Sequence, residues 1–388
     1  MAGDRLDDRA FALSTVAMLQ WLRAQSSEES ERTPIVVHRG ATLVPPPPGT
    51  DDKTTARFVG GVADAHGRLI PHAHHYSSIT PWVASSGQWR GHASDRLAGE
   101  RALFGGVARE HFGHFMTESL SRLWPLYLEH PDGTVSPPPD RRFDTLVFLR
   151  SPIAAPSAEG LELLSMFDGV PTVTVVDAPT RVDEIAVPMQ SSASELGLIG
   201  PRAPISALRA HLAPNLAPST DRSIYVSRSR WDPGPVPYSG SILQEEVVEA
   251  LLEAAGYEIF HPQQHSVAVQ VATYRGAGRI IVNESSAIHL VALAAPASAR
   301  VAVIGRRAGL GPLLDGYLEG VFGASERSRF LECGDGHHGA SVGEVWLALR
   351  FAELAQELVV RGLLADATVW SDREVGLDEV DRRRAIFT

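Results

Sequence analysis

The chain has 388 residues, of which 44% are hydrophobic and 21% are charged, and its formal net charge is −11. The length predicts two domains, and the composition is that of a globular protein. The negative charge excludes a general binder of nucleic acid or anionic membranes, because such proteins neutralise phosphates with an excess of basic side chains.

The kinds of basic residue and the single cysteine limit the types of binding site that the chain can form. Lys53 is the only lysine, so nearly all of the 35 basic residues are arginines, which bind phosphate and carboxylate through paired hydrogen bonds. Cys333 is the only cysteine, which excludes an internal disulfide and a cysteine-based zinc site. The first residues lack the features of a secretory signal, and no run of about twenty apolar residues follows, so we expect a cytoplasmic protein without a membrane span.

The first half of the chain predicts strands, loops and two helices after an amphipathic helix over residues 10–24. The proline-rich stretch 45–53 is typical of an extended surface loop, and residues 57–105 alternate short apolar runs with Gly, Pro and Ser. The first strong helix is predicted from the segment that begins at residue 110 to roughly His130. Buried strands of an α/β sheet are then predicted at TLVFLR (145–150), TVTVVD (172–177) and EIAVPM (184–189), with a helix over 158–167.

The second half alternates strands and helices after a proline-rich boundary at residues 211–222. The predicted order is strand 223–228, helix 241–255, strand 257–262, helix 266–276, strand 279–284, helix 286–295, strand 300–305, a further helix and strand 330–334. This alternation predicts right-handed βαβ units and a parallel doubly wound sheet. We therefore expect an N-terminal domain over 1–213, a C-terminal domain over 220–335, and a segment over 339–388 whose long helix (341–362) could cross back onto the first domain.

A polar stripe interrupts the apolar segment EHFGHFMTESLSRLWPL (110–126). His111, His114, Glu118 and Arg122 share one face if the segment is helical, because their spacings are three or four residues. A helix buried in a core does not need such a stripe, so it marks a candidate site. The spacing also fits a metal site, and Arg122 could simply pair with Glu118.

The known phosphate-binding motifs do not account for this chain. No P-loop motif follows a strand, and GLGPLLDG after RVAVIG lacks the third glycine of a dinucleotide site. The chain also has no Asp-x-Asp pair of the kind that holds a metal on a diphosphate. These absences favour a metal-independent phosphate site. Since ligands of open α/β sheets bind beyond the carboxyl ends of the strands, we look for it there.

Two predicted strands end in polar residues. SIYVSRSRW carries Arg228 and Arg230, which are placed either to bind a diphosphate or to remain solvated in a loop. RIIVNESSAIHL carries Asn283 and Glu284 and then opens a helix at Ser285 and Ser286, where a phosphate could bind, although an ordinary N-cap explains the serines equally well. Glu284 would repel phosphate, so we expect it to bind a ribose or sugar hydroxyl.

These residues together resemble glycosyltransferase family 61. HFGHFMTESLSRLW resembles the family's His-x-x-x-Asp/Glu helix. The second half is similar to its carboxyl-terminal domain: a strand ending in Ser-Arg, a helix start at LQEEV (243–247), a Gly-Tyr-x-Ile strand, a glutamine at Gln270, and the strand-to-helix turn Ser285–His289.

The resemblance implies a GT-B-like α/β fold, in which two Rossmann-like domains face each other across a cleft, and an inverting, metal-independent enzyme without a cofactor. A hexosyl or pentosyl group would move from a nucleotide-sugar to a glycan or other hydroxyl-bearing acceptor, in the synthesis of a surface polysaccharide or another glycoconjugate. Glu118 would be the catalytic base, with a pKa raised toward neutrality by partial burial, and His114 would orient it or contact the acceptor. The substrate-binding residues would be His111, Arg122, Arg228, Arg230, Asn283, Glu284, Ser285, Ser286 and His289.

Two other functions are compatible with the sequence. Ser285 replaces the family's usual glycine, and YSGS replaces an arginine expected before LQEEV, which fits a non-catalytic nucleotide- or glycan-binding protein that retains the fold. The stripe of His111, His114 and Glu118 would also fit a metal-dependent hydrolase.

Overall fold

A computed structural model describes residues 35–48, 58–77, 81–128, 143–193, 197–198, 203–212, 222–230, 241–306, 311–322, 328–338, 345–367 and 370. The chain is a mixed α/β protein that divides into two compact units, Ser14–Pro214 and Asn215–Thr388. Across these described ranges no helix combines the length and apolar character needed to cross a membrane. The helix predicted over residues 10–24 lies outside them.

The first unit is organised around a mixed six-stranded sheet. Its strands are β1 (Ile35–Val44), β2 (Phe58–Val59), β3 (Gly61–Ala63), β4 (His75–Tyr76), β5 (Pro81–Ala84), β6 (Asp95–Ala108), β7 (Thr145–Arg150), β8 (Thr172–Val176), β9 (Thr180–Pro188), β10 (Ser192–Ala193) and β11 (Gly197–Leu198). The sheet has the order β3-β1-β9-β6-β7-β8, in which β9, β6, β7 and β8 are parallel and β1 is antiparallel to both β9 and β3. Strands are present in all three ranges predicted at 145–150, 172–177 and 184–189, but β8 lies at the edge of the sheet and begins with exposed residues rather than being buried as predicted.

Smaller elements complete this unit. Helices α1 (Ala158–Leu164) and α2 (Ala203–His211), the 3-10 turn Pro71–Ala73, a small sheet β2-β5-β4 and the pair β10-β11 are present. The central strands are buried because both faces of the sheet are covered, and the core contains Phe104, Val147 and Ile185.

A glycine pair shapes the end of β6. The register between β6 and β7 shifts between Phe104 and Gly106, and Gly106 has a φ of 89°. A Cβ atom on Gly105 would lie 2.4 Å from the Phe148 ring, and one on Gly106 would lie 3.1 Å from His75 Nδ1. The bulge therefore depends on the absence of side chains at these two positions.

The single helix predicted from residue 110 to roughly residue 130 is wrong. Strand β6 continues to Ala108, and four short helical pieces follow, which we call segment 112–126: an α turn (Phe112–His114), a π turn (Phe115–Ser119) and two 3-10 turns (Leu120–Arg122 and Trp124–Leu126). Hydroxyl side chains compete here with the backbone hydrogen bonds of a regular helix. Thr117, Ser119 and Ser121 donate to the backbone carbonyls of Gly113, Val107 and Glu118, respectively.

The second unit contains the predicted parallel sheet. Its strands are β12 (Arg222–Val226), β13 (Ser241–Ile242), β14 (Glu258–Phe260), β15 (Ala277–Asn283), β16 (Arg300–Ile304), β17 (Ser328–Leu331), β18 (Gly334–His338) and β19 (Val345–Leu349), and its helices are α3 (Glu245–Ala254), α4 (Val267–Arg275), α5 (Ala287–Ala294), α6 (Gly311–Phe322), α7 (Phe351–Val360) and the 3-10 turn Pro262–Gln264. The five-stranded sheet has the order β14-β12-β15-β16-β17 and is entirely parallel, which confirms the predicted βαβ pattern.

The carboxyl-terminal segment differs from the prediction. Residues 341–362 do not form one helix, because Val345–Leu349 is a strand that pairs with β13 and β18 before α7 begins. Phe351 and Leu358 of α7 are buried in the same core as Tyr225 of β12. The described part of this segment therefore contributes its apolar face to the core of the second unit.

Candidate active site

The candidate site of the first unit lies beyond the carboxyl ends of its parallel strands. Arg109 and Glu110 directly follow β6, and Ser151 follows β7. Ser151 donates to Glu110 at 2.5 Å, which joins the ends of these two strands. Segment 112–126 then runs past this edge, which is the edge where open α/β sheets bind ligands.

Glu118 is the fully buried centre of a hydrogen-bond network. Its Oε2 atom accepts from Arg109 Nη1 at 2.8 Å, from Ser77 Oγ at 2.9 Å and from His75 Nε2 at 3.1 Å. Its Oε1 atom lies 2.6 Å from His114 Nδ1. Residues far apart in the sequence thus converge on a single carboxylate.

The charge state of Glu118 contradicts part of the expectation. Burial by itself would raise the pKa of Glu118, but the Arg109 guanidinium and the His114 ring hold this pKa well below its usual value. The premise of a carboxylate with a pKa near neutrality is therefore wrong, since a buried ion pair stabilises the charged form. Glu118 is a permanent anion with both oxygens hydrogen-bonded.

His114 is the group of this network that solvent reaches. Its side chain is 30% exposed, and its Nδ1 atom bonds to Glu118. No partner is found for its Nε2 atom among the residues that the structure describes. If Nδ1–H donates to the carboxylate, Nε2 carries a lone pair, which is the arrangement of a histidine base oriented by an acid. His111 is exposed beside it, with ring centres 5.3 Å apart.

His75 contacts Glu118 Oε2, the oxygen that His114 does not contact, and it donates a hydrogen bond there as a neutral ring. The backbone N–H of Val107 points at His75 Nδ1 at 3.4 Å, which leaves the hydrogen on Nε2 for Glu118. Burial lowers the pKa of His75 to about 4. The sequence analysis did not select His75, Ser77 or Arg109; the signal that could have found them is the polar run HAHHYS and an arginine directly after a buried strand.

Arg122 does not take part in this site as predicted. It is buried, and it donates to the backbone carbonyls of His72, His74 and Pro188. Burial lowers the pKa of Arg122 to about 9. The expectation that it binds substrate is wrong, because its guanidinium is used to join the end of β9 to the loop after the 3-10 turn Pro71–Ala73.

Within the described ranges, no group of three or more His, Cys, Asp or Glu side chains is arranged to hold a metal ion. His111, His114 and Glu118 are among the described residues and are not arranged as such a group.

The second unit places its predicted residues at the carboxyl edge of its own sheet. Arg228 and Arg230 follow β12, where Arg228 is half-buried and Arg230 is exposed. The backbone N–H of Arg228 donates to Glu245 Oε1 at 2.8 Å. Asn283 ends the neighbouring strand β15 and is fully buried.

The turn after β15 departs from expectation at Glu284. This residue is buried, and its Oε2 accepts from the backbone N–H of Arg306 at 2.9 Å. Its carboxylate therefore ties β15 to the loop after β16, and it does not present a free edge for a sugar hydroxyl. Ser285 Oγ accepts from Ala287 N at 3.3 Å, and Ser286 makes no side-chain cap.

His289 and a second buried glutamate complete this edge. His289 Nδ1 lies 3.3 Å from the hydroxyl of Tyr317. Glu245 accepts from Tyr225 and Ser227 hydroxyls, both at 3.0 Å, and burial raises its pKa, in contrast to Glu118. The sequence analysis used Glu245 only as part of LQEEV, because nothing in a helix start signals a buried carboxylate.

The comparison with known proteins agrees with this distribution of residues. A family described as glycosyltransferase 61 matches residues 112–301. The match begins in segment 112–126 and ends in β16, so it includes both His114 and Glu118 and the edge residues of the second unit. No curated protein matches the chain with significant similarity. On this match, residues 112–301 of the chain belong to glycosyltransferase family 61.

Proposed function

We propose that the protein is an inverting, metal-independent glycosyltransferase of the GT-B type, which moves a sugar from a nucleotide-sugar to a hydroxyl acceptor. The observation that carries this proposal is the pair of His114 and Glu118, joined at 2.6 Å, within the residues that match this family. The first unit would activate the acceptor, and the second unit would bind the donor.

In this mechanism His114 is the catalytic base and Glu118 orients it, which reverses the roles expected from the family resemblance. His114 Nε2 takes the proton of the acceptor hydroxyl as that oxygen bonds to the anomeric carbon. The bond between the anomeric carbon and the diphosphate oxygen breaks, and its electrons leave with the nucleoside diphosphate. Glu118 fixes the ring orientation of His114 and stabilises the imidazolium that forms.

On the donor side, Arg228, Arg230 and the start of α5 would neutralise the leaving diphosphate. Arginine forks match phosphate oxygens, and backbone N–H groups at a helix start favour anions. Three features of the sequence support metal independence: two arginines at one strand end, a helix start at the next, and no Asp-x-Asp pair.

A second candidate is a nucleotide- or glycan-binding protein without transferase activity. One observation favours it: the N–H of Ala287, at the start of α5, already has the Ser285 hydroxyl as its acceptor at 3.3 Å. A phosphate at this turn would have to displace that hydroxyl.

Two measurements test the proposal. Thermal unfolding with a panel of nucleoside diphosphates and nucleotide-sugars, with and without chelator, identifies the donor, because a ligand of the folded state raises its stability. Release of the nucleoside diphosphate in the presence of acceptor sugars then measures transfer. We expect His114→Gln to lower transfer by about 10²- to 10⁴-fold without weakening donor binding.

The matched control is His66→Gln, which alters an exposed histidine in a turn of the same unit. Its transfer rate should equal that of the wild type. Binding of a nucleotide without transfer or hydrolysis of any sugar donor would favour the second candidate. A wild-type rate in His114→Gln would remove the assigned base.

A further inference from the structure

Arg109 is the cation of the Glu118 network and is held from several sides. Its Nη1 atom lies 2.8 Å from both Glu118 Oε2 and Ser77 Oγ, and its Nη2 atom lies 3.3 Å from Glu110 Oε1. Its guanidinium carbon lies 3.6 Å from the centre of the Trp82 ring, which is a cation–π contact. Because only 5% of its side chain is exposed, an effect of Arg109 on chemistry has to pass through Glu118.

The charges around Glu118 determine how strongly it attracts a proton on His114. Arg109 places a positive charge on the carboxylate oxygen that His114 does not contact. His75, the other ring on that oxygen, is neutral near pH 7 because burial lowers its pKa to about 4. Glu110 takes up part of the Arg109 charge through the other terminal nitrogen of the guanidinium, Nη2.

The remaining charged groups near the network have other partners. Arg122, which adjoins His75, is bound to backbone carbonyls. His111 contacts the outer side of the His114 ring and is exposed. The balance at Glu118 is therefore set chiefly by Arg109.

This balance matters because a base must also release its proton. An opposite charge within about 4–6 Å shifts the protonation of a group by roughly 1–3 pH units. A lone carboxylate 2.6 Å from His114 would attract the ring proton with its full charge. A cation on the far oxygen reduces that pull.

We propose that Arg109 is a positioning residue for the transfer reaction. Its positive charge offsets the negative charge of the Glu118 carboxylate, so that His114 can both accept and release the acceptor's proton. This inference rests on the proposed role of His114. Its test, however, does not depend on catalysis, because it measures the protonation of His114 in the free protein.

The experiment follows the reaction of His114 with diethyl pyrocarbonate between pH 5 and 8. This reagent modifies neutral imidazole, so the rate against pH gives the midpoint of protonation, and tandem mass spectrometry assigns the adduct to His114. We expect Arg109→Gln to raise the midpoint by roughly one pH unit or more. Arg109→Lys, which keeps the charge, should restore most of the wild-type value, and the exposed His66 should be unaffected in both variants.

Each result decides the question. An unchanged midpoint in a folded Arg109→Gln protein overturns the inference, and so does an equal shift in Arg109→Lys. If Arg109→Gln does not fold, Glu110→Gln serves instead, since it changes a partly exposed side chain on the same guanidinium. Its midpoint should fall, because more of the Arg109 charge then acts on Glu118, and an unchanged midpoint again overturns the inference. Loss of transfer in His114→Gln bears only on the proposed function.

Discussion

Replacing Glu118 with glutamine tests the network most directly, because the structure fixes how the amide must turn. Three donors, from Arg109, Ser77 and His75, converge on Oε2, so the amide oxygen takes that place. The amide NH₂ then faces His114 Nδ1. His114 must present its lone pair at Nδ1 and its hydrogen at Nε2, which is the wrong tautomer for a base.

The expected loss follows from this tautomer. A triad whose acid is replaced by its amide loses about 10⁴-fold in rate, or roughly 5.5 kcal/mol at the transition state. Removing one partner of a buried ion pair also costs about 3–5 kcal/mol of stability, since Arg109 then keeps only the Glu110 carboxylate, 3.3 Å from its Nη2 atom. The assay is release of the nucleoside diphosphate from the donor that stabilises the protein, together with thermal unfolding.

The matched control for stability is Glu245→Gln. This glutamate is equally buried, but the groups that donate to it are two hydroxyls and a backbone N–H, so its replacement should cost only about 1 kcal/mol. A Glu118→Gln protein that keeps more than a tenth of the wild-type rate would refute the tautomer argument. Equal stability losses in the two variants would refute the ion-pair argument.

Three further outcomes are expected. The pKa of His75 is lower in the folded protein than in the unfolded chain, so unfolding takes up a proton between about pH 6.5 and pH 4. The free energy of unfolding should therefore fall by up to roughly 3 kcal/mol as the pH is lowered through this range. Thermal unfolding of His75→Gln should lose this dependence of stability on pH, whereas His66→Gln should keep it. Arg122→Met should lower the free energy of unfolding by about 3 kcal/mol, measured by denaturant titration, because three backbone carbonyls lose their hydrogen-bond donor. Weaker binding of the nucleotide-sugar with no loss of stability would contradict this. Arg230→Ala should weaken binding of the nucleoside diphosphate about tenfold by calorimetry, whereas Arg222→Ala, whose partner is Glu258, should not.

The regular elements could be predicted because local patterns determine them. Strand 145–150 is an unbroken apolar run, and the strand-helix alternation after residue 222 follows from apolar spacing alone. Segment 112–126 could not be predicted in the same way. Its hydroxyl side chains bond to the backbone in ways that depend on neighbours outside the segment, such as Val107.

The site was predicted in part for a related reason. His114 and Glu118 are four residues apart, so their pairing is local and readable from spacing. His75 and Arg109 meet Glu118 only because β4 and β6 belong to the same unit, and no sequence spacing reports that. Arg122 has the same spacing to Glu118, yet it turns toward carbonyls 48 to 66 residues away along the chain.

The strand order of the first unit has a consequence for folding kinetics. Strand β1 pairs with β9 across some 145 residues, as between Arg39 and Glu184, and the end of β9 supplies the Pro188 carbonyl that holds Arg122. Contacts of such long sequence separation form slowly, because the loop entropy is lost before the contacts stabilise the chain. The Glu118 network should therefore assemble late, after β6 and β7 have paired. A refolding experiment should recover the secondary structure well before His75 and Arg122 become protected from solvent.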